Sequence, residues 1–158
     1  MNMLTHIDQN NQPAMVNVSD KLPSFREAVA RVEVVLPEGV AAMFVSGDLM
    51  TKKGPVFATA IIAGTMAAKK TSDLIPFCHQ VPLDGCKIEI SQETSTVFSV
   101  TCSVNTRDKT GVELEALTGA NIAALTIYDM CKALSHDIVI RDCKLMSKSG
   151  GKRDFNRV

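Results

Sequence analysis

Four stretches of this chain carry residue types at spacings that could do chemistry. The first is Lys52-Lys53-Gly54, directly ahead of a long apolar run. Two ammonium groups at the mouth of a helix either hold an anion such as phosphate on the free N–H groups or form a solvated basic turn. The second is Cys78-His79, inside a stiff connection, Asp73 to Leu83, that is bracketed by Pro76 and Pro82. Adjacent Cys and His have poor geometry for one metal and no second pair completes four ligands, so the histidine is structural or touches a substrate. The third joins Glu113 and Glu115, in a predicted first helical turn, to Asp129 and Lys132 near the end of the same helix. Carboxylates suit a helix start. Asp129 and Lys132, three apart, make either a structural ion pair or a proton-transfer lysine whose pKa an orienting carboxylate and burial would tune.

The fourth stretch is Lys148-Ser149-Gly150-Gly151-Lys152-Arg153, a basic glycine-containing tail able to close over a polyphosphate. It is no P-loop, because Arg153 stands where Ser or Thr is needed and no helix follows. G-x-G-x-x-G, H-E-x-x-H and a Ser-His-Asp signature are absent from the sequence as well.

These groups need elements to position them. Residues 1–21 read as a loose polar arm that orders only against something else. Arg31–Leu36 reads as a strand stopped by Pro37-Glu38-Gly39, with Ala41–Ser46 extending or pairing with it. Val56–Ala68 is thirteen residues without a charge, entered by Pro55 and left by Lys69-Lys70, and predicts a helix too short to span a bilayer. Cys86–Ser91 alternates, as do Phe98, Val100, Cys102 and Val104, which predicts a hairpin; Asn105–Gly111 follows as a polar connection. The second helix runs over 112–134, with Ala116, Ala120, Ala123, Ala124, Ile127, Met130, Cys131 and Leu134 on one arc. Ile138–Leu145 closes the set as a strand with a bulge between Ile140 and Cys143. Residues 148–158 read as a mobile basic tail.

Strand, helix, strand, strand, helix, strand is the order of an α+β ferredoxin-like fold, with both helices on one face of an antiparallel sheet. With 158 residues, the chain is expected to be one catalytic domain. Two helices nearly free of charge, each with thirteen consecutive uncharged residues (Val56–Ala68 and Ala116–Tyr128), leave apolar outer sides, which predicts an obligate oligomer. Seventeen basic against seventeen acidic residues give no net charge, and six Phe, one Tyr and no Trp give no stacking platform, so nucleic acid is not an expected partner. Five cysteines, an odd number without a C-x-x-C pair, argue against a disulfide framework or a zinc ribbon. With no signal-like start, the expected location is the cytoplasm.

Together the stretches resemble the cyclic pyranopterin monophosphate synthase (MoaC) family of molybdenum cofactor biosynthesis. The carriers are Lys53–Ala60, Asp73–His79, Gly111–Thr118, Ala123–Ala133 and Lys148–Lys152, in the family's order, within a likeness running from Met15 to Phe155. The resemblance implies a lyase that converts 3',8-cyclo-7,8-dihydroguanosine 5'-triphosphate into cyclic pyranopterin monophosphate and pyrophosphate. It implies no required cofactor, with Mg²⁺ beside the triphosphate left open, and a homohexamer built as a trimer of dimers with the active site at a subunit interface. By position, Lys53, Lys132 and Asp129 take the catalytic roles, and Phe77, Cys78, His79, Glu113, Leu114, Glu115, Lys148 and Arg26 contact the substrate. Two departures stand out: Gln80 follows His79 where members commonly have Pro, and the tail is one residue short. The other class of function that the residues allow is a nucleotide sensor using the lysines and the tail as a phosphate clamp.

Overall fold

A strand with one covered face needs apolar residues at every second position, and the chain supplies them well before Arg31. The computed structural model describes residues 10, 12–44 and 47–157. Its first strand, β1 (Ser24–Val35), buries Ala28, Ala30, Val32 and Val34 completely. Next come a helical turn α1 (Glu38–Ala41), a two-residue hairpin of β2 (Met50–Thr51) and β3 (Gly54–Pro55), and helix α2 (Val56–Ala68). A short turn of helix, α3 (Thr71–Leu74), leads to β4 (Gly85–Gln92), β5 (Val97–Asp108), helix α4 (Glu113–Cys131), β6 (Val139–Ser149) and β7 (Phe155–Asn156).

The main sheet has the order β4-β5-β1-β6-β7, every neighbouring pair antiparallel. Two antiparallel steps make a parallel relation, so β1 and β4 run parallel around β5, and β5 and β6 run parallel around β1. Helix α4 packs on β1, β5 and β6, and α2 packs on α4 and β4. Among the described residues the fold is therefore α+β, with a mainly antiparallel sheet and four helices.

The two long helices meet through glycines. A Cβ on Gly64 would lie 2.6 Å from the Gly119 carbonyl oxygen and 2.9 Å from the Ala123 methyl, and would run into Ile88. One on Gly119 would lie 2.7 Å from the Cys102 sulfur. Alanines at 116, 120, 123 and 124 complete the seam, all fully buried. Backbones this close explain how a core with few aromatics fills its volume. Phe44, Phe57 and Phe98 form one ring cluster at the edge of that core, with centroids 4.6–5.4 Å apart.

Several expectations need correction. β1 begins at Ser24, and Asn105–Asp108 is the end of β5 and no loop, because Ser24–Glu27 pair residue for residue with Asn105–Asp108. Ladder bonds outweigh local polarity there, and the buried Thr106 hydroxyl is satisfied by the Pro82 carbonyl. Ala41 ends α1 instead of extending a strand: Pro37 opens the turn, and the Val40 and Ala41 N–H groups both donate to its carbonyl at 2.9 Å. Val45 and Ser46, the rest of that expectation's end, lie outside the described residues. Helix α4 stops at Cys131, so Leu134 is 46% exposed and leaves the buried arc. The bulge in β6 lies where the phase shift put it, with Arg31 opposite Lys144 but Glu33 opposite Arg141 and Asp142 at φ 56°.

Residues 148–158 begin inside β6, and Phe155–Asn156 pair back onto Ser147–Lys148. Of the arm, residues 1–9 and 11 lie outside the described set, while Val16 is tied to the body through His79.

Candidate active site

Helix α4 distributes the candidate residues to its two ends. At its carboxyl end Asp129 receives two lysines at once: Lys132, one turn on, at 2.7 Å on Oδ1, and Lys53 at 2.7 Å on Oδ2. Lys53 arrives on the tip of the β2–β3 hairpin. The hairpin is set by Gly54 at φ 109°, a conformation that suits glycine, and by Thr51, whose hydroxyl accepts from the Lys53 N–H and donates to the Gly54 carbonyl. The three side chains are each at least half exposed and rim a cleft of about 570 Å³ whose wall is apolar, including Leu49, Met50 and Met130.

The two ammonium donors hold Asp129 down to about 2, Lys132 contributing more than Lys53. The same contact raises Lys132 above its ordinary value. Of the two influences expected to tune this lysine, the carboxylate acts and burial does not: the side chain is exposed, and its nearest charge is opposite. The group is thus two fixed cations around one fixed anion, with a surplus positive charge facing the cleft.

The anion-at-helix-start reading of Lys52-Lys53 also changes. The amino end of α2 is already occupied by the Asp48 carboxylate, which accepts from the N–H groups of Leu49 (2.7 Å), Phe57 (2.8 Å) and Ala58 (3.1 Å). Asp48 was not among the candidate residues. It caps from nine residues upstream, so no capping pattern of the usual local spacing marks it in the sequence.

The amino end of α4 collects the rest. Glu113 pairs with Lys148 of β6 at 2.8 Å. Arg26 of β1 is anchored on the carbonyls of Asp108 (2.9 Å) and Lys109 (3.1 Å), beside a groove that Glu113 and Lys148 share. A neighbouring pocket of about 220 Å³ is lined by Phe77, Cys78, His79, Gly111, Leu114 and Glu115, among others. Phe77 and Leu114 are each 41% exposed at this pocket. Glu115 is its buried charge at 3% exposure: Oε1 lies 3.6 Å from the Cys78 sulfur and Oε2 has no partner. Loss of water raises the Glu115 carboxyl, and burial together with that carboxylate pushes Cys78 up to about 11, so Cys78 is a thiol and no activated thiolate. His79 Nε2 lies 2.7 Å from the Val16 carbonyl oxygen, which ties the ring to the arm. Among the described residues no three His, Cys, Asp or Glu side chains gather as metal ligands, and no helix is long and apolar enough to cross a membrane.

Every candidate is therefore in one of two groups, but the groups are separate: sixteen residues from Glu113 to Asp129 are about 24 Å along a helix axis. A family model described as the MoaC family matches residues 15–151, which takes in both groups. The chain belongs to the MoaC family. A cyclic pyranopterin monophosphate synthase of Xanthomonas campestris pv. campestris is 53% identical over 152 residues, covering 96% of this chain and 92% of the relative. The molybdenum cofactor biosynthesis bifunctional protein of Synechocystis is 51% identical over 160 residues, 98% of this chain but 46% of the relative. The molybdenum cofactor biosynthesis protein 1 of Dictyostelium discoideum is 49% identical over 168 residues, 96% of this chain and 27% of the relative. This MoaC-family chain thus spans less than half of those two longer relatives and nearly the whole of the Xanthomonas one.

Proposed function

We propose that the chain is a cyclic pyranopterin monophosphate synthase of molybdenum cofactor biosynthesis, turning 3',8-cyclo-7,8-dihydroguanosine 5'-triphosphate into cyclic pyranopterin monophosphate and pyrophosphate. Family membership and the names of its near full-length relatives support the reaction. The observation that carries the site is the grip of Asp129 on Lys53 and Lys132 at the edge of an apolar-walled cleft.

The chemistry follows from those charges. A triphosphate is drawn to the surplus cation, and the ammonium groups neutralise the pyrophosphate as it leaves. Opening and reclosing the purine-derived rings needs protons delivered and taken up. With Lys132 raised, the free protein presents it as an acid, and it turns base only after donating its proton to the substrate. Asp129, ionised throughout, fixes where both lysines aim. No cofactor enters this scheme; Mg²⁺ with the triphosphate remains compatible with it.

The reading includes a composite site. One substrate cannot touch groups about 24 Å apart along α4, so the carboxyl end of one protomer's helix would meet the amino end of another's. Ile62 (61% exposed), Met66 (53%) and Leu125 (52%) on the outer sides of α2 and α4 support burial against a second copy. A homohexamer made of three dimers, a ferredoxin-like subunit, a cytoplasmic location and the absence of a nucleic-acid partner complete the proposal. The test is anaerobic incubation with the cyclised nucleotide, following pyrophosphate and pterin product together. Equal appearance of both supports the synthase; substrate bound but unchanged for hours overturns it in favour of a sensor.

A further inference from the structure

A histidine can carry its proton on either ring nitrogen, and the partner of one nitrogen decides what the other can do. His79 Nε2 lies 2.7 Å from the Val16 carbonyl oxygen. A carbonyl only accepts, so the proton between them is on Nε2. In the neutral ring Nδ1 is then left with a lone pair, and among the described residues Nε2 is the ring nitrogen that has a partner. His79 lines the pocket at the amino end of α4, with Gly111 and Glu115. The segment that supplies Val16 is folded and anchored. The Asn17 side-chain oxygen accepts from the Ser19 N–H at 2.9 Å and from the Ser19 hydroxyl, a local turn that fixes backbone without a ladder. The Lys21 N–H closes on the Val18 carbonyl at 3.1 Å, and the Lys109 ammonium donates to the Ser19 carbonyl at 3.0 Å. Lys109 is held in turn, because its own carbonyl accepts from Arg26.

We infer that the arm is a working part of the site: Val16 is a positioning residue whose carbonyl holds His79 as its Nε2–H tautomer, so that Nδ1 meets the substrate as an acceptor. Only the identity of that substrate rests on the synthase reading. A bare Nδ1 pairs with an N–H or O–H, which the purine-derived rings and the ribose carry. It repels phosphate oxygens, which bring lone pairs and negative charge of their own. This pocket therefore takes the ring end of the substrate, and the polyphosphate lies elsewhere. Without the Val16 carbonyl the neutral ring would exchange tautomers, and the acceptor would be present for only part of the time.

Two measurements on the full chain test this. Long-range ¹⁵N–¹H spectra of protein labelled in its three histidines, with His79→Asn assigning the signal, read the tautomer directly. At pH 8, His79 should show a protonated Nε2 and a bare Nδ1 without averaging. Asn17→Ala combined with Lys109→Ala loosens the arm at residues that do not line the pocket, and should draw the two nitrogen shifts towards each other. Steady-state KM then separates the two ring positions. An asparagine amide can set its oxygen at the Nδ1 place, and a glutamine amide its NH₂ at the Nε2 place. His79→Gln should raise KM roughly ten-fold, the loss of one hydrogen bond to the substrate, and His79→Asn by less. A protonated Nδ1, or averaged nitrogens in the wild type, overturns the tautomer. An unaltered spectrum in the double variant overturns the role of the arm, and His79→Asn worse than His79→Gln overturns Nδ1 as the contacting atom. The spectra need no substrate, so they are decided apart from the synthase reading.

Discussion

The two ends of α4 handle charge in opposite ways. At the carboxyl end an exposed carboxylate is pulled down by two ammonium contacts; at the amino end Glu115, 3% exposed, is pushed up by loss of water and keeps one oxygen bare. Contact fixes the first and burial fixes the second. The first end holds its charges at the surface, while the second keeps a buried carboxylate oxygen without a partner, a group whose burial is costly unless a donor reaches it. A helix with almost no charge between its ends keeps the two fields apart and leaves its flank free for packing.

The largest effect should come from removing the cations. Lys53→Ala or Lys132→Ala is expected to lower turnover by roughly 10²–10⁴-fold, with circular dichroism and oligomer size unchanged because both side chains are more than half exposed. Product assays beside sedimentation check this; loss of the oligomer would mean the lysines are structural. The middle of the comparison is broken by Gly64→Ala, where a methyl meets the Gly119 carbonyl. Overpacking there should cost about 1–3 kcal/mol in urea unfolding and impair both ends together.

Asp48 sharpens the account of the carboxyl end. Asp48→Ala removes the α2 cap, a loss of about 1 kcal/mol, and should raise KM by loosening the hairpin that carries Lys53, whereas Asp48→Asn should retain most of both. The smallest effects are the pH slopes, which should have opposite signs. Asp129 is depressed from 3.8 to about 2, so its contribution to stability is present above about pH 4 and fades as pH falls through 2. Glu115 is raised from 4.5, so the folded state binds its proton more tightly and stability falls as pH rises from 4.5 through the folded value. In thermal melts, Asp129→Asn should flatten the acid limb and Glu115→Gln the decline above 4.5.

Much of this was legible from residue order. The uncharged runs Val56–Ala68 and Ala116–Tyr128, the alternation of Phe98 to Val104 and the phase break before Cys143 each imposed a local structure that tertiary contacts kept. Asn105–Asp108 was not legible, because its strand depends on pairing with Ser24–Glu27, more than 75 residues away in sequence. Leu134 sat in phase with the buried arc, yet the helix ended three residues before it. At the site, Lys53, Asp129 and Lys132 could be named by resemblance, but their separation from Glu115 and Arg26 follows from the length of α4. Asp48 and the raised pKa of Lys132 follow from contacts that linear spacing does not encode.

That separation makes subunit complementation the most direct measurement. A chain disabled at the carboxyl end by Lys132→Ala and one disabled at the amino end by Glu115→Gln with Lys148→Ala would be mixed, dissociated, reassembled and assayed for pyrophosphate and pterin. If each site takes one end from each of two copies, an equal mixture should recover about a quarter of wild-type activity, since each intact end is supplied with a chance of about one half. Activity no higher than that of the two inactive parents would contradict the composite site.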